Sequence, residues 1–185
     1  MYTANIADTV MFRNLGKYPN PRIQSLKHVV EEAGTEIWVP AAVYQELADT
    51  GSADSPANPY LDTAIEEGWL RVATPLPGDR TKGFDSTAGP GEKARFVADD
   101  FLNQQSKYPE TNNWEDAALV ALAVRLFDLN ARIRVITHTA DKNLAAACTR
   151  IPPEFGYYDI KSRYYNPPQT AKAEFPTVDR LTWDG

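Results

Sequence analysis

With one cysteine, two histidines and two methionines in 185 residues, the chain has few soft metal ligands. A lone Cys148 can form no internal disulfide and build no thiolate zinc site. It follows Ala145, Ala146 and Ala147 in a helical run, which suits a small buried hydrophobe. No apolar run approaches the roughly 20 residues a membrane helix needs; the longest, residues 117–124, fits one buried helix. The N-terminus has neither a basic n-region nor an apolar h-region, so no signal peptide is expected and the cytoplasm is the expected location. Positive charge is also short. Nineteen Lys and Arg face 25 Asp and Glu, for a net charge of −6, which excludes a chain-wide basic footprint for nucleic acid. A local one remains open, because acids that hold a cation lower the formal total while the ion restores positive charge at the site. No Ser-His-Asp order, phosphate-cradling Gly-rich loop or His-Glu-x-x-His is present. His28 reads as mid-helix and His138 as a strand end, and neither makes a convincing catalytic base.

What is present is an ordinary globular composition, 43% hydrophobic and 24% charged, with enough chain for one sizeable core. The text alternates. A short apolar strand over residues 2–7 ends at Asp8. Ile23, Leu26, Val30 and Ala33 recur at helical spacing over 22–33. Ile37-Trp38-Val39 reads as a strand, followed by helix over 41–49 with Pro40 in its first turn. Residues 60–67 read as helix, 69–73 as strand and 92–108 as an amphipathic helix. The strongest helix is 112–130, where Asn112 and Glu115 suggest a capping box and Ala118, Leu119, Leu122, Ala123 and Leu126 a buried stripe. A strand over 133–137, a helix over 141–149 and a strand near 157–160 complete the pattern. The segments 50–59 and 75–91 are turn chemistry throughout, and the second is long enough to suggest a mobile or functional loop. Strands alternating with helices predict a three-layer α/β/α sandwich on a mainly parallel sheet. The main domain is expected over residues 1–150, with 151–185 a C-terminal extension packed on it or trailing from it.

In such sheets ligands bind beyond the carboxyl ends of the strands. Asp8 stands at the end of the first strand, Asp141 just after the 133–137 strand, and Asp116 in the first turn or so of its helix. Glu46 lies about 9 Å into the helix after Ile37-Trp38-Val39, at 1.5 Å per residue. Taken singly, acids at helix starts are caps that complement the dipole, and Glu46 is a solvated helix position. Three of them, however, sit in apolar text: Ile-Ala-Asp-Thr-Val-Met-Phe, Val-Tyr-Gln-Glu-Leu-Ala and Glu-Asp-Ala-Ala-Leu-Val. A carboxylate pressed against a core must be paired or bound to a cation. Asp8, Asp116 and Asp141 are expected to converge, with Glu46 at their edge.

These patterns resemble the PIN-domain nuclease family. The matching text is Asp8-Thr9-Val10 after the first strand, Val39-Pro40-Ala41-Ala42-Val43-Tyr44-Gln45-Glu46-Leu47, Asp116-Ala117-Ala118, and Val135-Ile136-Thr137 leading to Asp141 and Leu144. All four occur in the family's order between residues 8 and 148. The last is stretched: the family's usual Thr-x-Asp is met by Thr139-Ala140-Asp141 only if the strand runs past Thr137. The loops and the tail also make the chain longer than compact members.

The resemblance implies a PIN-like fold and hydrolysis of RNA phosphodiesters with Mg²⁺ or Mn²⁺, which suit hard carboxylate oxygens. Asp8 and Asp116 would be primary ligands, Asp141 a ligand of the same or a second ion, and Glu46 a ligand through water. Thr137 or Thr139 would hydrogen-bond a ligand carboxylate or a phosphate, and Arg13 would meet substrate. Glu92 and Glu115 are reserve acids. Lys17, Arg22, Lys82, Lys93 and Arg95 supply further positive charge, and Lys161-Ser162-Arg163-Tyr164-Tyr165 interleaves basic with aromatic residues, as stacking on bases requires and as an exposed strand also allows. Family members act as toxins held by an antitoxin protein and in RNA processing, and a homodimer is expected. Two rivals stand beside this reading. One is a catalytically silent PIN-like module that binds RNA or protein. The other is a metal-dependent phosphatase, although that class often places Asp-x-Asp after the first strand, where this chain has Asp8-Thr9-Val10.

Overall fold

The computed structural model describes residues 1–49, 57–73, 89–107, 113–165 and 176–183. In order these form β1 (Tyr2–Ala7), α1 (Thr9–Leu15), α2 (Pro21–Glu32), β2 (Ile37–Val39), α3 (Ala41–Leu47), α4 (Asp62–Glu66), β3 (Leu70–Val72), α5 (Pro90–Gln105), α6 (Trp114–Leu129), β4 (Ile133–Thr139), α7 (Lys142–Glu154), β5 (Ile160–Tyr164) and α8 (Val178–Leu181). The five strands make one sheet in the order β3-β2-β1-β4-β5, every pair parallel. The chain therefore winds outward from β1 in one direction, then returns to β4 and winds in the other. The point of reversal lies between β1 and β4, and there the connecting segments part and leave a crevice at the carboxyl ends of the strands.

Each face of the sheet carries its own core, because successive side chains of a strand point to opposite faces. Ala4 and Ile6 of β1 and Val135 of β4 pack with α5, α6 and α7. On the other face Ala7, Ile37, Val39 and Leu70 pack with Met11, Phe12 and Leu15 of α1 and Ile23, Leu26 and Val30 of α2. Three layers result. The helix α6 is the central member of its layer: eight of its residues, from Ala117 to Phe127, are buried, and it touches α3, α5, α7, β1 and β4. An apolar text that wraps most of a helix belongs to one enclosed on several sides. Leu119 is fully buried, and truncating such a leucine to alanine costs about 2–5 kcal/mol. Gly91 lets α5 lie close against α6, since a Cβ there would meet the Ala121 carbonyl oxygen at 3.2 Å.

Several boundaries differ from the sequence expectation. A helix not anticipated, α1, follows β1 directly, because Asp8 caps it by accepting a hydrogen bond from the Met11 N–H. The strand β4 runs two residues past Thr137 to Thr139. The helix α7 continues through Pro152 and Pro153 in its last turn, and β5 falls at 160–164 rather than 157–160. Pro40 is the N-cap of α3 rather than part of its first turn. Asn113 occupies the N-cap position of α6 without a capping bond, its amide donating to Asn103 instead. Asn112, the residue expected to cap, lies outside the described residues, as do residues 166–175 of the tail and most of the 75–91 loop, the loop expected to be mobile or functional. Among the described residues no helix is long and apolar enough to cross a membrane.

Candidate active site in the β1–β4 crevice

The register of the two central strands decides which groups meet. Ala7 lies opposite His138, so the next residue, Asp8, stands beside Thr139. The Asp8 N–H donates to the His138 carbonyl at 3.2 Å, continuing the ladder by one bond beyond the strand. Thr139 Oγ1 donates to Asp8 Oδ2 and accepts from the Asp141 N–H at 2.9 Å. Asp141 then caps α7, its Oδ1 accepting from the N–H groups of Asn143 and Leu144. One threonine thus links both acids to the end of the sheet. The third acid, Asp116, comes from α6. That helix runs back against the strand direction before entering β4, so its first turn lies at the same edge of the sheet.

Glu46 arrives from α3, which packs against both α1 and α6. Its Oε2 accepts from Thr9 Oγ1 at 2.6 Å, and its Oε1 pairs with the Arg13 guanidinium at 2.8 Å. Thr9 is buried beside Asp8, so the last turn of α3 reaches the cluster through the first turn of α1.

Burial sets the electrostatics. Asp8 is 1% exposed, and its carboxyl is pushed up to about 7. Desolvation is the first cause, the hydrogen bonds from Thr139 and Met11 pull the other way, and the charges of Asp116 and Asp141 raise it again. Asp116 is pushed up to about 6 by burial and then by Asp141, Glu46 and Glu115, with Arg13 opposing. A low-dielectric crevice in which several carboxylates feel one another favours protons or a cation. The donors are hard oxygens of the kind Mg²⁺ and Mn²⁺ take. They retain free positions: both cap bonds of Asp141 fall on Oδ1, leaving Oδ2 outside them. The set is an open one, since among the described residues no three acids, histidines or cysteines stand close enough to hold an ion as they are. Carboxylates without a cation between them repel, and closing on an ion requires them to draw in.

A sequence model of the halobacterial PIN domain matches residues 1–166. The chain belongs to that family. Curated proteins and solved structures gave no match. PIN domains are usually nucleases and generally use divalent metal ions, and the sheet described above is the PIN-like α/β sandwich.

Within this PIN domain the sequence-named residues fall into two groups. Asp8, Asp116, Asp141, Glu46, Thr139 and Arg13 share the crevice or its rim. Thr137 does not. It is fully buried two residues short of the edge, opposite Ile6 of β1, and its hydroxyl donates to Ser162 of β5. Glu115 lies in the first turn of α6, and its charge bears on Asp116. Glu92 is in the first turn of α5 with a buried Oε2. His28 pairs with Glu32 on an exposed helix face. His138 is buried under the site, 2.8 Å from both Asn5 Oδ1 and Tyr165 Oη. Burial, with Arg163 and Arg180, pulls its pKa down to about 3 and keeps the ring neutral. The residues 161–165 supply the edge strand β5 and the buried Tyr165 that holds His138. Sequence reasoning missed Thr9 and Asn5. Both are polar residues set in apolar text, as the acids are, and that was the available signal.

Proposed function

We propose that this PIN domain is a metal-dependent endoribonuclease, with Asp8, Asp116 and Asp141 holding Mg²⁺ or Mn²⁺ and Glu46 acting on it through water. The observation that supports the reading is the electrostatic coupling of the buried Asp8 with the half-buried Asp116 and Asp141 at the strand ends, where the carboxyls of Asp8 and Asp116 are displaced upward. Such a cation would lower the pKa of water and offset charge on the phosphate oxygens. The chain's own residues do the rest. Thr139 fixes the orientation of the Asp8 carboxylate, and a carboxylate so held loses less entropy on meeting a ligand. Thr9 and Arg13 fix Glu46, which orients water toward the phosphorus. Arg13, half exposed at the rim, positions the phosphate. In the reaction one P–O ester bond breaks, water gives its hydroxyl to phosphorus, and its remaining proton ends on the leaving oxygen.

On this reading the enzyme works in the cytoplasm as a homodimer, either as a toxin restrained by an antitoxin protein or in RNA processing. A small protein encoded beside it would decide for the toxin role. The test of the chemistry is to offer single-stranded RNA and a small phosphomonoester side by side, with Mn²⁺ or Mg²⁺ and with chelator. Cleavage of RNA alone, abolished by chelator, is the expected result. Hydrolysis of the monoester alone would assign a phosphatase, and binding of RNA without hydrolysis would assign a silent module.

A further inference from the structure

A cavity of about 290 Å³ opens beside the acid cluster, lined among others by Arg13, Lys17, Glu46, Asp49, Pro59 and Tyr60. It shares only Glu46 and Arg13 with the crevice. Its walls are fixed from two sides. The Tyr18 N–H donates to the Pro59 carbonyl at 2.9 Å, tying the segment after α1 to the one before α4. The buried Asn58 accepts from the Tyr60 N–H and donates to the Tyr44 carbonyl of α3. Tyr60 is thereby held in place, and the Lys17 ammonium lies 5.8 Å from the centre of its ring.

We propose that this cavity binds the nucleotide next to the cleaved bond of single-stranded RNA, its phosphate between Arg13 and Lys17 and its base against Tyr60. The inference rests on the nuclease reading and names the substrate contacts of that same site. A strand whose scissile phosphate lies at the acids must continue across the rim, and the cavity begins at the rim residues Glu46 and Arg13. Its two cations are matched in number by Glu46 and Asp49, so net charge does not draw the phosphate in. Position does. Arg13 already takes up Glu46 at 2.8 Å, whereas among the described residues Lys17 has no ion pair and its ammonium is placed over an aromatic ring. A cation beside an aromatic face is the pairing that single-strand binders use, the charge following the backbone and the ring stacking a base of any identity. The subsite therefore contributes affinity with little sequence preference.

The test measures binding apart from chemistry. Anisotropy of a short labelled single-stranded RNA in chelator gives affinity and its salt dependence, and cleavage with Mn²⁺ gives kcat and KM. Lys17→Ala is expected to weaken binding about fivefold and to lower the slope of log K against log salt by about 0.7, one single-strand phosphate contact. Tyr60→Ala is expected to weaken it about tenfold, and Tyr60→Phe, which keeps the ring, to bind as the wild type does. Both alanine variants should raise KM with kcat within about twofold, as expected when uniform binding is removed. Unchanged affinity and salt slope in Lys17→Ala, whose exposed side chain puts folding at no risk, would overturn the subsite while leaving the nuclease reading intact. Wild-type protein that binds RNA through Lys17 and Tyr60 but cleaves none would do the reverse. Wild-type protein that binds no RNA removes both.

Discussion

The hydroxyl of Thr139 donates a hydrogen bond to the buried carboxylate of Asp8, joining two residues 131 positions apart at the point where the sheet reverses its winding. The same oxygen accepts from the Asp141 N–H, so two acids of the crevice are positioned by one side chain.

Replacing that side chain tests the arrangement. Thr139→Val keeps the shape but removes the donor to Asp8 and the acceptor for Asp141. The expected loss is about 1–3 kcal/mol of stability, the cost of leaving buried polar groups unsatisfied, measured by urea unfolding in chelator. Thr139→Ser should recover most of it. A Thr139→Val protein as stable as the wild type would show that the hydroxyl does not hold the site.

Stability should depend on pH through Asp8 between its unfolded and its folded value. Its carboxyl stands at about 3.8 in the unfolded chain and about 7 in the fold. Between those values the folded state keeps a proton the unfolded state has lost. The contribution is fully present below 3.8 and lost as pH rises through 7, at about 1.4 kcal/mol for each pH unit between them. Asp116 acts in the same direction up to about 6. His138 acts oppositely: its pKa falls from 6.5 to about 3, so its contribution is present above 6.5 and lost as pH falls toward 3. The terms offset below neutrality, and a difference isolates Asp8. In chelator, the Tm of wild type should fall relative to Asp8→Asn as pH rises from 5 to 8. Parallel curves would mean that Asp8 titrates normally.

Metal should reverse this trend. Ions bind the deprotonated acids, so affinity rises with pH and binding releases protons. Mn²⁺ at a hundredfold excess over its Kd at pH 8 stabilises by about 2.7 kcal/mol, and the same concentration should give a smaller gain in Tm at pH 5. Equal gains at both values, or none, would place the ion elsewhere or nowhere.

The sequence disclosed much of this site because burial and polarity conflict there. Asp8, Glu46 and Asp116 stand in apolar text, and the strand-exit rule assigns three acids to one edge of the sheet. The sheet was legible where strands are apolar, as in Tyr2–Ala7 and Ile37–Val39. It was less legible where they are not. Thr137, His138 and Thr139 carry no hydrophobic signal, yet all three are buried, their polar groups satisfied by Ser162, Asn5, Tyr165 and Asp8. Those partners come from β1 and the residue after it and from β5 and the residue after it, and a single-strand pattern cannot reveal them. The apolar signal of β4 therefore ends at Thr137, and only the register with β1 distinguishes Thr137 from Thr139. The short helix α1 escaped for a related reason. Seven residues do not sustain a helix unaided, and this one depends on its cap at Asp8 and on the core it covers.

Asp116→Asn gives the most direct test of the account. The substitution removes one charge from a crowded crevice, so in chelator the protein should unfold at the wild-type temperature or above it. With Mn²⁺ or Mg²⁺, its cleavage of single-stranded RNA should fall by about a hundredfold or more, as expected when a group acting on the reacting phosphate is lost. Wild-type cleavage should vanish in chelator. A folded Asp116→Asn protein that cuts RNA at the wild-type rate, or wild-type cleavage that survives chelator, would contradict the claim that these acids work through a bound cation.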